Sequence, residues 1–171
     1  MDKYYNDTLY YEIVDDILLD NEFKKIDSCV HHGLSRLDHS CRVSYYSYKI
    51  TKALRLNYVD TARAGLLHDF FLSENKTSID KMKSMFVHSK KSLENSEELF
   101  YLSDKEKDII YTHMFPLNIN RVPKYLESWI VSIVDKAVAT YEFSLTFKNR
   151  CKLKYRNAMV ILLVFIGRIF Y

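Results

Sequence analysis

Six side chains in this sequence have the chemistry to act together: His39, His68, Asp69, His88, His113 and Asp135. Imidazole nitrogens mixed with carboxylate oxygens suit a divalent transition metal ion. Manganese, iron, cobalt, nickel and zinc all accept that donor set, and the residues do not choose among them. Four of the six histidines and two aspartates fall at positions that apolar periodicity turns inward. Taken singly, each has a simpler explanation, a hydrogen-bonded core histidine or an aspartate that caps a helix or joins an ion pair. Taken together, they ask for a common cause, because an ionised carboxylate buried without a partner is expensive. A bound divalent cation would satisfy all six groups at once. Such an ion lowers the pKa of bound water from about 15.7 toward about 7, which makes hydroxide available at neutral pH. Attack on phosphorus is one reaction this makes feasible, with the cation also polarising the phosphoryl oxygens.

Cationic side chains would neutralise the charge that develops on a phosphate. Arg42, Lys90, Lys91 and Lys136 lie close in sequence to the six, and Arg63 stands five residues before His68. An exposed lysine is ordinarily a solvated surface group, so each is weighed against that plainer role. Asp69, Lys90 and Arg42 are the candidates for direct participation in catalysis. His31 and His32, next to Gly33, read as loop residues near the mouth of the site. Tyr45, Tyr46, Tyr48 and Trp129 read as packing side chains.

The elements that must position these groups are helical. Three glycines and two prolines are too few for the many tight turns of a sandwich or barrel. Over 35–54, Val43, Tyr46, Ile50 and Leu54 recur at helical steps and predict a buried stripe, with His39 four residues before Val43. A second helix is expected over 59–72, with Ala62, Leu66 and Phe70 along one side and Gly65 admitting a close neighbour. The stretch 73–86 has weak periodicity and reads as a loop with a short helical turn, followed after His88 by a helix through Leu93 to Phe100. Ser103 and Glu106 form a capping-box start for the next helix, which carries Ile109, Ile110 and His113 and ends at Pro116. Pro123 suits the first turn of a helix reaching about residue 143, in which Ile130, Val131, Val134 and Val138 surround Asp135. A terminal helix over 148–171 is expected to pack on the core. Its apolar run, 158–166, is interrupted by Gly167 and Arg168 well short of the roughly 20 residues that a membrane span needs.

At 171 residues the chain is read as one domain over 1–171, with the site within about 36–142. A 48% hydrophobic, 27% charged composition excludes a disordered tail. The net charge of +3 is dispersed along the chain, so it gives nucleic-acid binding no support. Cys29, Cys41 and Cys151 are odd in number and widely spaced, which suggests neither a disulfide framework nor a thiolate metal site. With the acidic start at Asp2, Asp7, Glu12, Asp15 and Asp16, a cytoplasmic setting is expected.

The order of these motifs resembles the HD superfamily of metal-dependent phosphohydrolases. The resemblance rests on His39 in a His-Ser-x-x-Val context, the His68-Asp69 pair after Ala-x-Ala-Gly-Leu-Leu, and a distant Asp135 in an apolar helix. It implies an all-α, single-domain helical bundle in which His39, His68, Asp69 and Asp135 bind metal. Members with two metals carry two further histidines between the doublet and the last aspartate, matched here by His88 and His113, and Asp69 would then bridge the ions. Ser89 follows His88 where the related segment usually has proline. The His-Asp-x-Gly-x-Lys and Gly-Tyr-Pro patterns of cyclic-di-GMP phosphodiesterases are missing, as is the His-Asp-x-x-Glu-Asp pattern of alarmone hydrolases. The spacing is similar to that of small HD hydrolases that cleave dinucleoside polyphosphates. The implied substrate is a small phosphorylated molecule such as a nucleotide. Two other functions stand as alternatives: a di-iron oxygenase of the HD type, which would use the same His/Asp set, and a non-catalytic module that keeps the helical scaffold and binds a nucleotide or a partner through the basic C-terminal helix.

Overall fold

A computed structural model describes residues 6–31, 34–72 and 78–169. The described chain is all-α. Its helices are α1 (Thr8–Leu19), α2 (Asn21–Lys24), α3 (Arg36–Ala53), α4 (Tyr58–Leu67), α5 (Ser78–Leu99), α6 (Asp104–Thr112) and α7 (Leu126–Ile169). A 3-10 turn at Lys25–Ser28 and a two-residue antiparallel pair, Val30–His31 with Leu34–Ser35, lead into α3.

Polar residues at the helix starts account for where the elements begin. The side chains of Asp7, Ser35 and Asn57 accept from the backbone amides of Tyr10, Asp38 and Asp60, satisfying donors that a helix leaves open at its N-terminus. Ser103 and Glu106 form the expected reciprocal capping box on α6.

The short helix α4 sits at the centre, in contact with α1, α3, α5, α6 and α7. It buries Ala62, Ala64, Leu66 and Leu67 against Val14 and Ile17 of α1, Val43 and Tyr48 of α3, and Ile109 and Ile110 of α6. Gly65 is needed here: a Cβ at that position would stand 2.9 Å from the Ser44 Cα of α3. The same contact carries a buried hydrogen-bond chain in which Tyr10 donates to the Ser44 hydroxyl, which donates to the Ala62 carbonyl.

That close approach corrects the expected stripe of α3. Tyr46, Ile50 and Leu54 are exposed, whereas Ser40, Val43, Ser44, Ser47 and Thr51 are buried. Small side chains occupy the face that meets α4 because larger ones would force the helices apart. Tyr46 and Ile50 instead line a cavity of about 550 Å³ between α3 and α7, with Arg42, Val134, Val138 and Leu145.

Other boundaries shift as well. Helix α4 ends at Leu67, so His68, Asp69 and the buried Phe70 follow it rather than lie within it. Helix α5 begins at Ser78, ten residues before His88, because 78–87 contains no glycine or proline to stop it. Of the stretch 73–86 expected to be a loop, 78–86 is helical, and 73–77 lie outside the described residues. Likewise α7 runs unbroken through 143–148, which again holds no breaker, so one helix replaces the two expected. At 1.5 Å per residue its 44 residues extend roughly 66 Å. The expected packing of 148–171 on the core depends on side chains outside the described residues, as do His32 and Gly33. Among the described residues no helix is long and apolar enough to cross a membrane.

Candidate metal centre

Helix ends and helix middles bring the six side chains together in two groups. The first consists of His39 from α3, His68 at the C-cap of α4, and Asp135 from α7, with ligand atoms all within 4.8 Å of one another. His39 Nε2 lies 3.1 Å from Asp135 Oδ1, and His68 Nε2 lies 3.7 Å from the same oxygen. The last carbonyls of a helix lack partners within it. His68 exploits this, its Nδ1–H donating to the Gly65 carbonyl at 2.7 Å. Its other ring nitrogen, Nε2, is buried and has no hydrogen-bond partner. A buried nitrogen aimed at a carboxylate beyond hydrogen-bonding distance is the arrangement a cation between them would complete.

The second group consists of Asp69, His88 from α5, and His113 at the C-cap of α6. His113 repeats the device of His68, with Nδ1 donating to the Ile110 carbonyl at 2.7 Å. Its Nε2 faces His88 Nε2 at 3.0 Å. Two nitrogens each about 2.1 Å from one ion, at right angles, stand about 3.0 Å apart, so the pair fits a shared metal. Asp69 Oδ1 lies 3.5 Å from His88 Nε2 and 3.6 Å from His113 Nε2. Its other oxygen, Oδ2, lies 3.9 Å from His68 Nε2, so one carboxylate faces both groups.

Charge is unevenly distributed. Burial opposes protonation of His39, but its hydrogen bonds to Asp135 and Glu142 outweigh that and push its pKa up to about 10. Burial likewise opposes ionisation of Asp135 and Glu142. The His39 hydrogen bonds, with His68 near Asp135 and Arg42 on Glu142, hold both carboxylates below their usual range. His113 goes the other way, since burial and then the nearby His68 and His88 push it down to about 3. Its imidazole is therefore neutral, as a ligand must be.

Two residues at the site escaped the sequence reading. Glu142, fully buried, accepts from His39 Nδ1 at 2.8 Å and from Arg42 Nη1 at 2.7 Å. The available signal was spacing: seven residues after Asp135 is two helical turns, on the same face. Arg36, also buried, bonds the Phe71 carbonyl and lies 3.9 Å over the Phe71 ring, which stacks on His88 at 5.2 Å. Its Nε has no hydrogen-bond partner, and no carboxylate pairs with it among the described residues.

The other candidate cations are placed differently. Arg42 is held by Glu142, one contact behind His39. Lys136 bonds Asp135 Oδ2 at 3.0 Å and the His113 carbonyl. Lys90 is exposed and pairs with Glu94 at 3.4 Å, and Lys91 is exposed. Two residues on from His88, Lys90 falls on a different face of α5. Arg63 joins Asp16 of α1 to Glu106 of α6, a clamp within the scaffold. Trp129 packs edge-on against Phe115, and Tyr45 and Tyr48 pack on Tyr10.

A family model for the HD domain matches residues 36–140, more than half of the chain. The chain belongs to the HD-domain family. HD domains are mostly metal-dependent hydrolases, and the two His/Asp groups could hold the metals such chemistry uses. Comparison with curated proteins and with solved structures gave no match.

Proposed function

We propose that this HD domain is a metal-dependent phosphohydrolase that cleaves a phosphoester or phosphoanhydride bond in a nucleotide or other small phosphorylated molecule, using metal-activated water. His39, His68 and Asp135 would hold one divalent ion, His88 and His113 a second, and Asp69 would bridge them. The observation that carries this reading is the placement of Asp69, with Oδ2 3.9 Å from His68 Nε2 and Oδ1 3.5 Å from His88 Nε2. A carboxylate between two histidine groups is a natural bridging ligand, and paired ions of that kind serve phosphoryl hydrolysis.

When bound, the ions supply Lewis acidity toward water and toward phosphoryl oxygens. The chain's own contribution is orientation and charge. Nδ1 donation by His68 to Gly65 and by His113 to Ile110 fixes both Nε2 lone pairs toward the site. Lys136 holds Asp135 and ties α7 to the His113 carbonyl. Arg42 acts through Glu142. Arg36 is the cation best suited to meet an anionic substrate, because among the described residues no carboxylate pairs with its buried guanidinium. Lys90, already paired and exposed, is assigned the lesser part.

The test is elemental analysis of the purified protein, followed by assay against nucleotides, phosphodiesters and phosphomonoesters with each candidate metal. Turnover that needs manganese or another divalent ion, and that fails in His68→Ala, is the expected result. Fully metal-loaded protein that binds these compounds without hydrolysing any of them would contradict the proposal, as would oxygen consumption with an organic substrate.

A further inference from the structure

The three histidines whose outer nitrogen bonds are given by the structure are not held alike. His68 and His113 each donate Nδ1–H to a carbonyl three residues back, a partner the helix end provides. His39 lies within α3, where the carbonyls are committed to the helix, and a carboxylate from α7 takes that place. The carboxylate, Glu142, lies beyond the stretch matched by the family model, which ends at residue 140. Both its oxygens are occupied, Oε2 by His39 and Oε1 by Arg42, so its orientation is fixed.

An anionic acceptor behind a ligating imidazole makes the opposite nitrogen a stronger donor to a cation than a carbonyl does. The first group also has a carboxylate of its own in Asp135, while the second depends on Asp69, which both groups share. Lys136 offsets part of the Asp135 charge but bonds Oδ2, leaving Oδ1 toward His39 and His68.

We infer that Glu142 is a positioning residue that makes the His39, His68 and Asp135 group the tighter of two metal positions, so that it fills before the Asp69, His88 and His113 group. The inference rests on the two-metal reading above and adds an order to it. Loss of an outer carboxylate of this kind typically lowers metal affinity about 10- to 100-fold.

The experiment is a zinc titration of metal-free protein, followed by the imidazole nitrogen resonances of each histidine. In the wild type, the Nε2 signals of His39 and His68 move with the first equivalent, and those of His88 and His113 only with the second. In Glu142→Gln, the first step weakens about 10- to 100-fold and the order is lost. All four histidines moving together in the wild type, or His88 and His113 moving first, would overturn the order. An unchanged first step in Glu142→Gln would remove Glu142 as its cause. Should that variant not fold, the wild-type order alone decides. Wild-type imidazoles that ignore zinc altogether would defeat the two-metal reading itself, an outcome distinct from two intact steps in the wrong order.

Discussion

The Nε2 atoms of His88 and His113 face each other at 3.0 Å, while the Nδ1–H of His113 donates to the Ile110 carbonyl. The two rings share a hydrogen bond that a divalent ion would replace by taking both nitrogens as ligands. Asp69 Oδ1, at 3.5 and 3.6 Å from the two nitrogens, supplies the negative charge such an ion needs.

Because Asp69 faces both groups, Asp69→Ala is expected to strip metal from the protein and to lower hydrolysis by about a hundredfold or more. Helical content should persist, since Asp69 follows α4 and makes no part of its hydrogen-bond ladder. Elemental analysis, circular dichroism and activity measured on one preparation check this. Full activity in metal-free Asp69→Ala protein would overturn the assignment.

Gly65→Ala tests the scaffold. The new methyl would meet the Ser44 backbone at 2.9 Å, and a main chain cannot step aside as a flexible side chain can. Overpacking costs about 1–3 kcal/mol, and better helix propensity returns up to about 1, so a net loss of up to about 2 kcal/mol is expected in urea denaturation. Metal affinity should fall with it, because His39 and His68 lie on the two elements pushed apart. A variant as stable as the wild type would show that the contact has room to give.

Arg36 and Lys90 separate the two kinds of cation. Arg36→Gln is expected to raise KM for a phosphorylated substrate about tenfold, the loss of one charge-assisted hydrogen bond. Lys90→Gln, which removes an exposed pair with Glu94, should leave kinetics within about twofold. The reverse pattern would restore Lys90 to the site.

The pH dependence of the metal-free protein follows from His39. Its pKa in the fold, about 10, lies above the ordinary 6.5. The folded state therefore holds this proton more tightly, and the associated stability is fully present below pH 6.5 and declines as pH rises toward 10. The buried Cys41 thiol, pushed up to about 12 from 9.0 by burial, adds its own decline only above pH 9.0. Melting temperatures of metal-free protein should thus fall between pH 6.5 and 9, and a flat profile there would contradict the proposed charge state of His39.

Much of this arrangement was legible in the residues themselves. The six side chains that spacing and type singled out do converge, and Ser103 with Glu106 and Gly65 acted where local chemistry alone predicts, whereas the helix expected to end at Pro116 stops at Thr112. Failures came where tertiary contact overrode local pattern. Tyr46, Ile50 and Leu54 are apolar at helical spacing, yet Ser40, Ser44 and Ser47 pack inward, Ser44 where α4 passes too close for a larger side chain. The continuity of α7 was hidden by a change of composition that carries no helix breaker. Glu142 was hidden because a glutamate in a long helix ordinarily faces water, and only its partners on α3 distinguish it.

The most direct test is to locate the metal. Anomalous diffraction from crystals loaded with manganese or zinc should give one peak about 2.0–2.3 Å from His39 Nε2, His68 Nε2 and an Asp135 oxygen, and a second at the same range from His88 Nε2, His113 Nε2 and Asp69. Fully loaded crystals with no anomalous peak between these side chains, or with metal bound only elsewhere, would contradict the account.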